Sequence, residues 1–188
     1  MGNTTTGGLI IAGSYVPKTT SQLQALRTRR ESKLHVIELP VTKLIHSAED
    51  VTEIVDNTIE DASRSLQSGQ DVLIMTSRDL VVGQDATSSL SIGGLVADSL
   101  VRIMQGIEVR PRYVIAKGGI TSSDMATKGL KMKRAMILGQ AAAGVPLWMC
   151  DEETSRHRGV PYVVFPGNVG GEHTLADLVE RWALPEHR

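Results

Sequence analysis

The residues best suited to chemistry in this sequence are glycines and small hydroxyl side chains in three short clusters. They are Gly13-Ser14, the stretch Gly118-Gly119-Ile120-Thr121-Ser122-Ser123 after Lys117, and Gly167-Asn168-Val169-Gly170-Gly171. Each ends an apolar run of strand length: GLIIAGS from Gly8 to Ser14, YVIA from Tyr113 to Ala116, and YVVF from Tyr162 to Phe165. A glycine has no Cβ, so backbone N–H groups around it can approach phosphate oxygens closely, and a helix opening just afterwards adds the positive end of its dipole. Gly118-Gly119 has that setting, with Thr121 or Ser122 placed to cap the helix and to offer a hydroxyl to phosphate or to a metal-bound water. The spacing matches neither the P-loop pattern nor the GxGxxG dinucleotide fingerprint. The same glycines also suit tight strand-to-helix turns, and the residues alone leave both readings open.

Other polar residues carry less. Asp124 falls in the first helical turn after the glycines, where it could coordinate a metal or activate a hydroxyl, but the helix dipole favours an acid there in any case. His157 stands between Arg156 and Arg158 in a polar loop, open either to an anion or to solvent. The five histidines, His35, His46, His157, His173 and His187, show no metal-ligand spacing, and no Ser, His and Asp set reads as a triad. Cys150 has no evident activating partner and reads as a packing residue. No catalytic residue is named by the sequence.

The elements that must position these clusters alternate. After the Gly8–Ser14 run, Pro17 with Thr19 and Thr20 starts a helix that places Leu23 and Leu26 on one face. Leu34 to Leu39 reads as a strand, Ala48 to Leu66 as the clearest helix, with Gly69 as its stop, and Asp71 to Thr76 as a buried strand, with Ser77, Arg78 and Asp79 at its carboxyl end. A polar stretch from Gly83 to Ser91 precedes a helix expected from about Ile92 to Ile107, weakened by Gly93 and Gly94. Strand Tyr113–Ala116 leads to a helix from about Ser123 to Leu130; strands at Arg134–Leu138 and Tyr162–Phe165 follow, and Leu175, Leu178, Val179 and Trp182 mark a final helix. Strands alternating with helices, each strand too apolar to face water on either side, predict a three-layer, Rossmann-like α/β fold with a largely parallel sheet covered on both faces. In such sheets ligands bind at the carboxyl ends of the strands, so the three clusters are expected to converge on one rim.

Composition sets bounds on partners. The 188 residues fit one domain, expected over residues 9–184, with 1–8 as a linker or truncated end and 185–188 as a tail. Lys plus Arg number 20 against 21 Asp plus Glu, so no bulk positive field attracts nucleic acid or anionic lipid, and any anion must be held by local geometry. No apolar run approaches the roughly 20 residues of a membrane span. One cysteine excludes an internal disulfide, and with no secretory signal at the start the expected location is cytoplasmic. The polar, glycine-rich opening is also what a domain cut from a longer protein would show. The sequence allows a homo-oligomer without indicating one.

Four motifs together carry a resemblance. They are Ile10-Ile11-Ala12-Gly13-Ser14; Ala116-Lys117-Gly118-Gly119-Ile120-Thr121-Ser122; Leu138-Gly139-Gln140 with Gly144-Val145-Pro146-Leu147-Trp148; and Pro166-Gly167-Asn168-Val169-Gly170. With them the chain, from Leu9 to Trp182, resembles the C-terminal nucleotide-binding domain of the four-carbon acid sugar kinases. It looks most like the copy found in plant and fungal fusion proteins beside a class II ketose-bisphosphate aldolase segment. The resemblance implies ATP with Mg²⁺ as the phosphoryl donor and a four-carbon sugar acid such as a 3-oxo-tetronate as the acceptor, held by a separate N-terminal domain. It also implies nucleotide contacts at Ser14, Gly118, Gly119, Ile120, Thr121 and Gly167; the residues themselves add Asn168 and Gly170 in the last loop, and Lys117 as a charge partner for the γ-phosphate without a catalytic role. Two departures stand out: Ser123 replaces the last glycine of the family's GGxTSG, and Pro166 and Val169 replace Ser and Phe of its SGNFG. Without the sugar domain the resemblance implies a chain inactive by itself, and the competing expectation is a non-catalytic nucleotide-binding or scaffolding module.

Overall fold

The structure, a computed structural model, describes residues 5–78 and 85–183. Its strands are β1 (Leu9–Ala12), β2 (Leu34–Leu39), β3 (Asp71–Thr76), β4 (Val114–Lys117), β5 (Met136–Ala142), β6 (Val145–Met149) and β7 (Pro161–Phe165). They form one sheet in the order β2-β3-β1-β4-β7-β6-β5. The first five in that order are parallel; β6 runs antiparallel to β7, and β5 antiparallel to β6. Helices α1 (Pro17–Arg29), α2 (Val41–Leu44), α3 (Ala48–Gln67), α4 (Ala86–Gly106), α5 (Gly119–Asp124) and α6 (Thr174–Trp182) complete the fold, and α5 runs on into a π-helical turn, Met125–Gly129.

The two-residue period of the central strands divides the core. Leu9 and Ile11, Val72 and Ile74, and Val114 and Ala116 face one side, where Val55, Leu100 and Met125 of the α3, α4 and α5 layer meet them. Ile10 and Ala12, Leu73 and Met75, and Ile115 face the other, against Leu23 and Leu26 of α1 and Leu175 and Leu178 of α6. Strands apolar on both faces thus bury both, as a parallel sheet requires. Helix α3 shows the local logic: the Ser47 side chain accepts from the Asp50 N–H at 3.0 Å, Glu49 and Asp50 sit at the positive end of the dipole, and Gly69 takes a positive φ just past the last turn.

The amino ends of the strands are locked by one buried carboxylate. Asp71 accepts from the Gly8 N–H at 2.8 Å, from Arg30 at 2.9 Å and from Arg112 at 3.0 Å. Arg112 in turn donates to the carbonyls of Thr6 and Trp182, both at 2.9 Å, tying the chain's start to the end of α6. Gly7 and Gly8 are therefore buried, and the segment expected as a linker is anchored from at least Thr6 onwards. Residues 1–4, 79–84, including Asp79 and Gly83, and the 184–188 tail lie outside the described residues.

Three expectations are corrected. Helix α4 begins at Ala86, not near Ile92, because the polar Thr87, Ser89 and Ser91 are compatible with an exposed helix face despite their weak propensity. The strand expected at Arg134–Leu138 begins at Met136 and runs to Ala142, and it returns through the turn at Gly144 as β6, a hairpin whose second strand the apolar pattern did not separate. The third concerns solvent: β5 is an edge strand that only α6 reaches, near Ala141 and Ala142, and Met136, Ile137 and Leu138 are 59 %, 71 % and 41 % exposed. Among the described residues no helix is long and apolar enough to cross a membrane.

Candidate functional site

Parallel register sets the site. Ala12 pairs with Lys117, and Lys117 with Phe165, so β1, β4 and β7 end at one level and their loops start side by side. These loops touch. A Cβ on Gly118, which adopts φ +115°, would lie 2.9 Å from the Ser14 Cβ, and one on Gly13 would lie 2.9 Å from the Thr121 hydroxyl. The Thr19 hydroxyl donates toward Ser14 Oγ at 3.4 Å and toward the Gly167 carbonyl at 3.3 Å, while the Gly118 N–H donates to Phe165 at 2.8 Å. Gly13 and Gly118 are thus required because the Leu100, Thr121 and Ser14 side chains crowd their Cα atoms, and Gly118 by its positive φ as well, the role the turn-forming reading gives them.

Gly119 differs: a Cβ there would meet nothing within 4 Å. Helix α5 starts at Gly119, four residues before the expected Ser123, because Gly118 serves as its N-cap residue and brings no side chain to cap it. The expected capping by Thr121 or Ser122 is therefore corrected. Ser122 is buried and its hydroxyl donates to the Ala116 carbonyl at 2.8 Å; Tyr162 donates to the Ser122 carbonyl at 2.6 Å, and burial pushes the phenol's pKa well up. Thr121 occupies the third helical position. The first-turn N–H groups of Gly119, Ile120 and Thr121 have no acceptor within the helix, as at any helix start.

These groups open onto a cavity of about 820 Å³ between α5 and the first half of α4. Gly13, Ser14 and Gly118 through Thr121 line it, and Asp98 and Asp124 are its carboxylates. Asp124 is held by Lys128 at 2.9 Å. Gly167, Asn168 and Gly170 do not line this cavity. Gly167 abuts Ser14, with a Cβ on it placed 3.4 Å from Oγ, whereas Asn168 is exposed and Gly170 packs on Thr174 at φ +81°. The last loop is pinned from beneath by Gln22, which donates to the Val169 and Gly171 carbonyls at 3.0 and 2.8 Å. His157 is tied to the Ile107 carbonyl at 3.0 Å, and Cys150 is buried in the core.

A family model described as a nucleotide-binding C-terminal domain matches residues 9–175. The chain belongs to that family. Among curated proteins no relative matches it. Among solved structures, a DUF1537 protein from Bordetella bronchiseptica, a domain-swapped dimer with bound citrate, superposes with a TM-score of 0.70 at 15 % identity, covering 96 % of this chain and 42 % of that one. A Salmonella typhimurium LT2 protein gives 0.70 at 16 %, covering 95 % and 41 %, and a DUF1537 protein from Haemophilus influenzae 0.64 at 17 %, covering 93 % and 40 %. At such identities the likeness establishes the fold, and the chain spans about two fifths of the length of these structures.

In this nucleotide-binding domain Lys117 does not reach the cavity. Its side chain is fully buried over the Phe165 ring, 4.2 Å from the centroid, and its ammonium donates to the carbonyls of Pro166 at 2.7 Å and Gly167 at 3.1 Å. The expected γ-phosphate partner is instead a strut under the third loop, since a strand-terminal side chain that faces the α1 and α6 layer has those carbonyls as its nearest acceptors. The apolar side of the cavity was missed altogether: Leu90, Gly93, Gly94 and Ala97 recur at i, i+3, i+4 and i+7 along α4, and the two glycines, read only as weakening a helix, were the available sign.

Burial, with the charge of Lys18 second, pulls the Lys117 pKa down to about 8 from 10.5. Between these values the unfolded chain holds a proton that the folded chain does not, so Lys117 adds stability as pH rises through this window and opposes folding below it. Urea denaturation of the wild type and Lys117→Met at pH 7, 8.5 and 10 should show the difference shifting in favour of the wild type above pH 8, by at most about 1.4 kcal/mol per unit. A difference independent of pH would show that Lys117 titrates as a solvated lysine.

Proposed function

We propose that this chain is the ATP-binding domain of a kinase that phosphorylates a four-carbon sugar acid of the 3-oxo-tetronate kind, the acceptor being held by a separate domain. The observation that carries the reading is the uncapped first turn of α5: Gly119, Ile120 and Thr121 present backbone N–H groups to a cavity beside Gly13-Ser14, and Gly119 leaves the approach open. First-turn amides of a helix with a hydroxyl beside them suit phosphate oxygens. ATP would supply the γ-phosphoryl group and Mg²⁺ would offset its charge. In this reading Gly118 to Thr121 and Ser14 hold the phosphates, while Gly167 with Lys117 fixes Ser14 from behind. Asn168 and Gly170 keep a supporting part in the third loop. Mg²⁺ bound through phosphates needs only one or two protein carboxylates, which Asp98 and Asp124 can provide. Membership of the four-carbon acid sugar kinases, in the copy known from plant and fungal fusion proteins, belongs to the same proposal.

ATP with Mg²⁺ should raise the unfolding midpoint; at one hundred times the dissociation constant the stabilisation is about 2.7 kcal/mol. Gly119→Val should abolish that shift and leave the unliganded midpoint nearly unchanged, since its Cβ meets no protein atom. Normal ATP binding by Gly119→Val would move the phosphate site elsewhere.

One observation favours the second reading, a non-catalytic nucleotide-binding module. Lys128, the one lysine among the described residues lining the cavity, is engaged by Asp124, and Lys117 lies under its loop, so no free ammonium among the described cavity residues faces a γ-phosphate. A coupled ADP-release assay separates the two. On the kinase reading the isolated chain turns over no four-carbon sugar acid, because positioning of the acceptor, worth roughly 7 to 11 kcal/mol, comes from the other domain. Adding that domain restores rates of about 1 to 100 per second. Persistent inactivity with the domain present would favour the non-catalytic module, and turnover by the chain alone would overturn the two-domain account.

A further inference from the structure

Strand β5 is an edge that the fold leaves open. It hydrogen-bonds to β6 alone, so one flank of its backbone has no strand beside it among the described residues. Residues 135–144 carry no charge, and Met136, Ile137 and Leu138 stand consecutively exposed, Ile137 by 71 %. Neighbouring residues of a regular strand face opposite sides, so an unbroken run of exposure means that neither side is covered at this point. The register gives the local reason: Ile137 pairs with Trp148 and Gly139 with Leu147, which leaves Leu138 as an extra residue in a bulge. Gly139 follows with φ +136°, and a Cβ on it would meet nothing within 4 Å. Bulges blunt an edge against indiscriminate strand addition, and charges or proline along the edge commonly do the rest. Here the bulge is present and the charges are not, since Lys131, Lys133 and Arg134 all precede the apolar run. An irregular, apolar and neutral edge suits a partner of matching outline over any extended peptide.

We propose that two copies of this chain associate through β5, the two strands lying side by side and antiparallel about a two-fold axis at Leu138. No β5 residue lines the cavity between α4 and α5, so the contact is separate from that site and does not rest on the nucleotide reading. Charge selects the second copy and its direction. In the antiparallel arrangement Lys133 faces the partner's Ala143 and Arg134 the partner's Ala142, so no like charges meet, and Arg134 keeps its own ion pair with Glu152 at 3.0 Å. A parallel arrangement would set the two Lys133-Arg134 pairs against each other. Shape agrees, because a two-fold contact must be complementary to itself. Ile137, the most exposed side chain of the run, faces the partner's Gly139, the position with open space above its Cα, and symmetry makes that fit twice. At the axis Leu138 meets its own copy, and the apolar run leaves water as a unit. Seven strand residues from each copy form a seam at the small end of stable interfaces, which bury roughly 800 Å² per partner, so the dimer is reversible and micromolar.

Sedimentation velocity across the micromolar range tests the association, and cysteine cross-linking tests its register. The wild type should pass reversibly from monomer to dimer as concentration rises. Ile137→Lys and Leu138→Lys should each weaken the dimer at least tenfold and leave the unfolding midpoint of the dilute monomer unchanged, since both side chains are exposed. Ile120→Ser, which removes an equally exposed apolar group from the cavity, should leave the dimer as it is. The one native cysteine, Cys150, is buried, so an introduced thiol is the one open to oxidation. Under copper-catalysed air oxidation Leu138→Cys should form a disulfide-linked dimer, its thiol meeting its own copy at the axis, whereas Ala142→Cys, facing the partner's Arg134, should not. Should a lysine variant unfold early, the cysteine pair decides. A chain that stays monomeric throughout overturns the proposal and leaves the β5 edge to some other partner. A dimer that survives both lysine variants, or is lost in Ile120→Ser, overturns it as well, and so does cross-linking of Ala142→Cys as readily as Leu138→Cys.

Discussion

Alignment of β1, β4 and β7 in parallel register is the constraint on which the site depends. With Ala12, Lys117 and Phe165 in one row, the next residues of all three strands emerge at the same height, and glycine at 13 and 118 leaves room for the Leu100, Ser14 and Thr121 side chains packed against them. Slipping any strand by one residue would exchange its two faces, sending Ile11 or Ala116 into the wrong layer of the core, so the hydrophobic pattern that stabilises the sheet also fixes the geometry of the rim. The buried ammonium of Lys117 strengthens this link, because it binds the β4 end to the β7 loop without a carboxylate partner among its hydrogen bonds.

The two ends of the sheet divide the work. At the amino ends, Asp71 joins Gly8, Arg30 and Arg112 in a closed, buried network, the arrangement in which a charge can leave water because its partners are all present. At the carboxyl ends, polar groups are left open: the first turn of α5 lacks a capping side chain, and Gly119 faces empty space. Backbone amides without a partner inside the helix, beside open space, are groups whose hydrogen bonds a ligand could complete.

Much of this was legible from residue order. Apolar runs alternating with amphipathic helices specify a parallel α/β sheet, and β2 and β3 occupy the residues their patterns mark, because buried strands and strongly periodic helices carry dense information. The clusters ending β1, β4 and β7 were legible as a convergent rim for the same reason. What stayed hidden depends on tertiary context. The β5–β6 hairpin ends the parallel order, and its exposed Met136 and Ile137 look, as letters, like buried strand residues. Whether a strand-end lysine reaches outward or folds beneath a neighbouring loop is decided by the Pro166 and Gly167 carbonyls, some fifty positions away.

The central claim is that a nucleotide's phosphates sit on the first turn of α5. Amide resonances of a ¹⁵N-labelled chain titrated with ATP and Mg²⁺ test it at single residues. The account predicts the largest shifts at Gly119, Ile120 and Thr121, with smaller ones at Gly13 and Ser14. Saturable shifts that leave those amides unmoved and gather at Gly167–Gly171 or along the exposed face of β5 would contradict it.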